Sequence, residues 1–224
     1  MGRQSMRSRA RVAWPLEQLE QDLGTHSGCE VVVSGNLLWE PPVAARSPIM
    51  EPLTEAQRKT LEDLYRRIDE RVSPITAAHA WWPCRKGCDH CCRHLAAPLP
   101  VTRLEWTYLW EGFQALPPEA RAEVRARVAG LKGTQRPYTC PFLDRESGGC
   151  RVYAHRPMAC RTYGFYVSRD QGNWCHFIRE LLEKHGDGDI LWGNQEAMED
   201  TLARLSGDTL SILDWFDAAP TEAC

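Results

Sequence analysis

Apolar residues recur at helical spacing in several stretches of the chain. The clearest stretch follows Thr54 and Gln57, whose spacing is that of a capping box at a helix N-terminus. Its apolar residues then lie three or four positions apart, as on one face of an α-helix: Leu61, Leu64, Tyr65, Ile68 and Val72. We therefore predict a helix over residues 54–72, closed by Pro74, because proline lacks the amide hydrogen that a helix interior needs.

Four more helices follow from the same reasoning. Thr102 and Glu105 form a second capping box, which predicts a helix over 103–112. Pro118 at a first-turn position begins another over 118–131. Two acidic amphipathic segments near the C-terminus, 194–205 and 208–216, are expected to pack outside the three hydrophobic helices.

Residues 140–161 indicate irregular structure, with a turn at Ser147-Gly148-Gly149 and a helical turn at Cys160 and Arg161. We therefore predict a mainly α fold with irregular, metal-organised loops and little β structure. Proline pairs and breaks separate residues 1–50 from the rest. We expect them to form a partly flexible N-terminal appendage to a single compact domain over 51–224.

Composition narrows the class of protein. The 224 residues are 43% hydrophobic and 25% charged, which is typical of a soluble globular protein. No stretch approaches the roughly 20 apolar residues that a membrane span needs. The arginines of the first 11 residues precede no apolar segment, so they do not form a secretory signal. We expect a cytoplasmic protein without membrane contact, with a basic mitochondrial leader as the alternative.

The cysteines carry the candidate chemistry. Eight of the ten lie between residues 84 and 175: Cys84, Cys88, Cys91, Cys92, Cys140, Cys150, Cys160 and Cys175. Thiols two or three residues apart can bind one metal or cluster together. A disulfide framework is the alternative, but it suits small exported proteins. Neighbouring side chains rarely reach the same ion, so Cys91 and Cys92 are expected to serve two metals or to bridge them. Cys29 and Cys224 are expected to be free thiols.

The charge pattern supports this interpretation. Residues 83–175 contain 14 basic and 8 acidic residues, although the whole chain has a net charge of −3. Cations near thiols stabilise the thiolate form, and four arginines are close enough in sequence to do so: Arg85, Arg93, Arg156 and Arg161. Because the chain is acidic and shows no aromatic–basic alternation, we expect no nucleic-acid partner.

Two kinds of metal centre fit eight thiols. Zinc takes four thiolates or imidazoles, and a [4Fe–4S] cluster takes four thiolates, so eight thiols make two sites or one multinuclear site. The gaps of three and two residues slightly favour iron–sulfur. Histidines close to the thiols are alternative ligands: His90, His94, His155 and His176. A radical-SAM barrel also uses such gaps, but only about 130 residues follow Cys92 and they do not alternate strand and helix.

The cysteine region resembles a known family. Its matching elements are Cys84-x3-Cys88-x2-Cys91-Cys92, Cys140-Pro-Phe-Leu, and the run from Cys150 through Arg156-Pro157 to Cys160-Arg161. Together they resemble the CxxCxxCC (YkgJ-type) family of zinc- or iron-chelating proteins over about residues 84–175. The resemblance implies metal ligation by seven cysteines: Cys84, Cys88, Cys91, Cys92, Cys140, Cys150 and Cys160. Cys175 fills the eighth place in less diagnostic surroundings, and the first gap here holds three residues where the family label has two.

Three functions follow as hypotheses. The first is a metal- or iron–sulfur-binding protein in metal handling, redox chemistry or maturation of an unknown protein partner. The second is a cluster-dependent redox or protein-modifying enzyme. The third is an interaction module whose zinc only maintains the fold. No nucleotide-binding loop or recognisable triad order assigns catalytic residues.

Overall fold

A computed structural model of the chain describes residues 51–169, 171–206 and 208–220. The expected appendage over 1–50, Cys29 and Cys224 all lie outside these ranges. The described elements are, in order, α1 (Glu55–Ala78), α2 (His90–Arg93), β1 (Pro100–Thr102), α3 (Arg103–Gln114), α4 (Pro118–Leu131), a 3₁₀ turn (Tyr153–His155), α5 (Met158–Thr162), β2 (Tyr166–Ser168), β3 (Gln171–Gly172), α6 (His176–His185), β4 (Gly193–Asn194), α7 (Gln195–Leu205), β5 (Thr209–Ser211) and α8 (Ile212–Ala218). The mainly α fold with little β structure is confirmed.

Both capping boxes form as predicted. At the start of α1, the Thr54 hydroxyl accepts from the Gln57 amide at 3.2 Å, and the Gln57 side chain accepts from the Thr54 amide at 3.0 Å. Thr102 and Glu105 make the same exchange at the start of α3. Each box satisfies two amides that a helix N-terminus leaves without partners. The predicted helix over 118–131 has the bounds of α4.

The expectation that Pro74 ends α1 is wrong. The helix continues to Ala78, with Pro74 inside it. Ile75 follows immediately and is only 4% exposed, and its carbonyl accepts from the His79 amide at 3.0 Å. Burial of this last turn therefore offsets the hydrogen bond that proline cannot donate.

Pro74→Ala should stabilise the protein by about 1–2 kcal/mol, because it restores an interior amide donor and removes the clash of the proline ring with the preceding turn. The midpoint of urea unfolding measures this change. Pro118→Ala is the matched control: Pro118 is the first residue of α4, where no interior hydrogen bond is gained. An unchanged or lowered midpoint for Pro74→Ala would contradict this expectation.

Two hydrophobic clusters form the core. The first joins α1 to Trp82 and to the segment from α5 into β2, with Ile178 of α6 and Leu202 of α7. The second joins α3 and α4 to Phe142 and to α8. Antiparallel β1 and β5 pair Val101 with Leu210, and β2 lies between β3 and β4 in a second small sheet. In the described ranges, no helix is both long and apolar enough to cross a membrane.

The expectation that both acidic C-terminal helices pack outside is wrong for α8. Trp215 is 1% exposed and donates from Nε1 to the Val101 carbonyl at 2.9 Å. Ile212 and Phe216 are also buried in the second cluster. The acidic residues Asp214 and Asp217 project from the opposite, exposed side. One face of α8 therefore completes the core while the other remains solvated.

Candidate metal centre

The two cysteine-bearing segments meet beside the helices α3 and α4. Leu95 and Tyr138 exchange backbone hydrogen bonds of 2.9 and 2.8 Å, and the Cys140 amide donates to the Cys92 carbonyl at 2.7 Å. These contacts join chain positions before α3 to positions after α4. The two cysteine-bearing segments therefore lie side by side, although two helices separate them in the chain.

Short local structures position the individual thiols. Gly87 has a positive φ of 97°, a conformation that glycine adopts without strain, and it turns the chain between Cys84 and Cys88. Cys91 and Cys92 lie on the single turn of α2, Cys160 lies on α5, and Cys175 immediately precedes α6. All eight cysteines of the described ranges are free thiols and partly buried.

Cys84 and Cys88 form one hydrogen-bonded pair. The Cys84 thiol donates to Cys88, and this bond lowers the pKa of Cys88 to about 6. The same bond raises the pKa of Cys84 above its usual range. Burial and the charges of Cys88, Cys175 and Cys91 raise it further. The lowered pKa favours the thiolate form of Cys88, which is the form that binds metals.

A second series of hydrogen bonds joins the two segments. The Cys91 thiol donates to Cys92, which raises the pKa of Cys91. Cys92 donates in turn to Cys140, which raises the pKa of Cys92 to about 12. Three sulfurs from both segments are thus in contact, and Cys91 also lies close enough to Cys88 for the Cys88 charge to raise its pKa.

Cys150 and Cys160 extend this series. Burial raises the pKa of Cys160 most, and the charges of Cys92, Cys150 and Cys91 raise it further. Burial also raises the pKa of Cys150, while the Arg156 guanidinium opposes the effect. The structure therefore brings all eight cysteines of the sequence prediction into one contiguous region.

Five of the thiols hydrogen-bond to one another, as the pair Cys84–Cys88 and the series Cys91–Cys92–Cys140. Across the part of the chain that the structure describes, no three His, Cys, Asp or Glu side chains form a group that could hold a metal ion as they stand. The donor chemistry nevertheless fits a soft or borderline metal, because the thiols are free and neighbouring. Metal binding would require these side chains to turn from one another toward a common centre.

Arg156 and Arg161 support the region around Cys160. Arg156 donates to the Tyr153 and Cys160 carbonyls, and its charge lowers the pKa of both Cys150 and Cys160. Arg161 is 9% exposed, pairs with Asp69 at 3.1 Å and donates to the Ala154 carbonyl at 2.6 Å. Arg156 thus acts electrostatically on the thiols, whereas Arg161 connects α5 to α1.

The other two arginines differ in their contacts. Arg85 lies near Cys88, and its charge lowers the pKa of that thiol. Arg93 pairs with Asp89 and donates to the Arg145 carbonyl. Arg93 therefore contributes mainly to loop structure, while Arg85 acts on a thiol.

Three of the four candidate histidines form a partly exposed group. The His90 ring lies 4.4 Å from that of His94 and 4.8 Å from that of His176. His155 lies elsewhere and packs against Tyr108 and Gly112 of α3. A β-carbon at Gly112 would approach the His155 ring to 2.5 Å. The contacts of His155 are those of a packing residue.

Glu105 accepts hydrogen bonds from other elements of the fold in addition to capping α3. The carboxylate is 3% exposed, and burial raises its pKa. It accepts from the Met158 amide at 2.7 Å and from the Tyr65 hydroxyl at 3.3 Å, besides capping α3. Glu105 therefore connects α1 and α3 to the N-terminus of α5, which carries Cys160. The only sequence signal was its place in a capping box.

These features define a helical, thiol-rich metal-binding domain. Residues 83–177 match the model of the CxxCxxCC family, described as a "putative zinc- or iron-chelating domain". The match covers the region that the sequence resemblance indicated. A search of curated proteins and a search of solved structures each found no match. The family supports zinc or iron binding in general and does not distinguish zinc from an iron–sulfur cluster.

Proposed function

We propose that this protein binds zinc or iron through eight cysteines arranged in two neighbouring groups. The first group contains Cys84, Cys88, Cys91 and Cys175. The second group contains Cys92, Cys140, Cys150 and Cys160. Each group supplies the four thiolates that a zinc ion or a [4Fe–4S] cluster takes.

The contact between Cys91 and Cys92 carries this proposal. Cys91 hydrogen-bonds to Cys92, and its charge raises the pKa of Cys84 in one group and of Cys150 and Cys160 in the other. The adjacent pair therefore lies where the two groups meet. This arrangement favours a double or multinuclear centre over a single zinc ion.

We further propose a role in metal handling, redox chemistry or maturation of a partner. Cys84, Cys88, Cys91 and Cys160 line a small cavity beside a surface groove. A zinc that only maintains a fold is enclosed by its four ligands, whereas these thiols can be approached from the groove. The same observation favours a cluster-dependent enzyme as the second candidate.

Anaerobically purified protein should contain close to two zinc ions per chain, or iron with inorganic sulfide and a broad visible absorption band. Elemental analysis with an ultraviolet–visible spectrum measures both. Cys29→Ser is the control, because Cys29 lies apart from the two groups in sequence and its loss should leave the metal content unchanged. Colourless protein without stoichiometric metal would contradict the proposal.

Cysteine substitutions distinguish an enzyme from a protein that only binds metal. If one cysteine can be replaced without loss of the fold or of most of the metal, while an activity disappears, an open coordination position supports catalysis. If every such substitution unfolds the protein, the metal is structural.

A further inference from the structure

A groove leads from the surface to the thiols. Its outer part has a volume of about 900 Å³ and lies between α1 and the segments 84–86 and 153–161. Its inner part, about 100 Å³, reaches Cys88, Cys91 and Cys160. The two parts share wall residues such as Cys84, Arg85 and Tyr153, so they adjoin each other.

The acidic residues of this groove are paired with arginines. Asp69 pairs with Arg161 at 3.1 Å, and Glu70 pairs with Arg66 at 2.5 Å. The third, Glu62, lies 3.9 Å from Arg58 of the same helix. Arg58 also pairs with Glu111 at 2.6 Å and Arg66 with Asp63 at 3.6 Å, so the negative charge of the α1 wall is partly neutralised.

Three cations on the opposite wall have no such partner. Arg85, Lys86 and Arg156 form no ion pair with any carboxylate in the described ranges. Lys86 lies 5.7 Å from the centre of the Tyr153 ring, and Arg156 lies 3.6 Å from it. Tyr153 thus holds two of these cations on one wall of the groove.

We propose that the groove binds a small anionic ligand, with a carboxylate or phosphate group held by Lys86, Arg85 and Arg156 and its other end directed toward the thiols. Unpaired cations in a concave site attract anions, and a low-dielectric wall strengthens that attraction. The outer volume is in the range of small-molecule sites. The inner volume admits only a small group, so a folded acidic protein cannot fill it.

The proposal deepens the proposed function and rests on it in one respect: the bound metal is what the inner end of the ligand approaches. Binding of the anion itself depends on the three cations and the shape of the groove. Metal content and anion affinity can therefore be measured separately on the same full-length preparation.

Isothermal titration calorimetry with citrate and with inorganic phosphate tests the proposal. Purified protein should bind at least one of these anions at one site, more weakly as salt is added. Lys86→Glu should reduce the affinity at least 10-fold, because it reverses the charge of an exposed groove residue. Lys184→Glu is the matched control: Lys184 is exposed in the last turn of α6 and should leave the affinity unchanged. Binding of citrate alone indicates a carboxylate ligand, and binding of phosphate alone indicates a phosphate ligand.

Several outcomes would overturn the inference. These are absence of binding by either anion, equal losses in Lys86→Glu and Lys184→Glu, or binding of an acidic peptide without binding of citrate or phosphate. The milder Lys86→Gln, with circular dichroism to confirm the fold, replaces the charge reversal if that variant does not fold. Protein that contains metal but binds no anion contradicts this inference alone. Protein without metal contradicts the proposed function, whether or not an anion binds.

Discussion

Cys91→Ser should reduce the bound metal by more than half, with a large loss of thermal stability. Cys91 donates to Cys92 of the second group, and its charge also acts on Cys84 of the first group. Serine offers a hard oxygen with a far higher pKa, which is a poor ligand for zinc or iron in this setting. Because structural zinc contributes about 10–16 kcal/mol in small metal-dependent domains, partial loss should be evident in thermal unfolding as well as in elemental analysis.

Cys175→Ser is the informative comparison for Cys91→Ser. Cys175 acts on Cys84 but belongs to one group only, so its replacement should remove about half of the metal. Cys224→Ser, outside the cysteine region, should remove none. If Cys91→Ser and Cys175→Ser lose equal amounts, the two groups bind metal independently, and the joint role of Cys91 is refuted.

The helices were predictable where the signal is local. Capping boxes at Thr54 and Thr102, together with apolar residues at helical spacing, specify α1 and α3 without tertiary information. The end of α1 was not predictable, because packing of Ile75 offsets the cost of Pro74. Helix α6 was missed, although its apolar residues and the C-terminal Gly186 are recognisable signals.

The strands were missed for a different reason. Each has two or three residues, and β1 pairs with β5, more than 100 positions away in the chain. A strand of that length shows no alternation of polar and apolar residues, and its pairing depends on the surrounding fold. The buried face of α8 depends on the surrounding fold in the same way, because Trp215 donates to the carbonyl of Val101, far away in the chain.

Some features of the candidate site were likewise predictable from local sequence, whereas others depend on tertiary structure. Spacing alone identified the cysteines. The adjacency of Cys91 and Cys92 predicted that they serve two metals or bridge them, whereas the proposed assignment of the other six thiols to two groups rests on the three-dimensional contacts. The groove beside Lys86 also depends on tertiary structure. So does the difference between Arg156, which acts on thiols, and Arg93, which pairs with a loop carboxylate, because nearness in sequence does not specify the direction of a side chain.

Glu105→Ala should destabilise the protein by about 3 kcal/mol or more, because it leaves several buried donors without an acceptor. The Glu105 carboxylate accepts from the Met158 amide, the Tyr65 hydroxyl, and the amide and hydroxyl of Thr102. Met158 begins α5, so Cys160 two residues later should lose its fixed position. We expect lower metal affinity as well as a lower midpoint of urea unfolding.

Glu105→Gln distinguishes the hydrogen bonds of this carboxylate from its volume. Each carboxylate oxygen accepts from a backbone amide, Met158 on one side and Thr102 on the other. A glutamine amide must therefore turn its NH₂ group toward one of these donors, and we expect Glu105→Gln to be destabilising although it is nearly isosteric. Glu119→Gln, in the exposed first turn of α4, should have almost no effect. If Glu105→Gln retains full stability and full metal content, the carboxylate does not connect the helical core to the thiols, and α5 is positioned by packing alone.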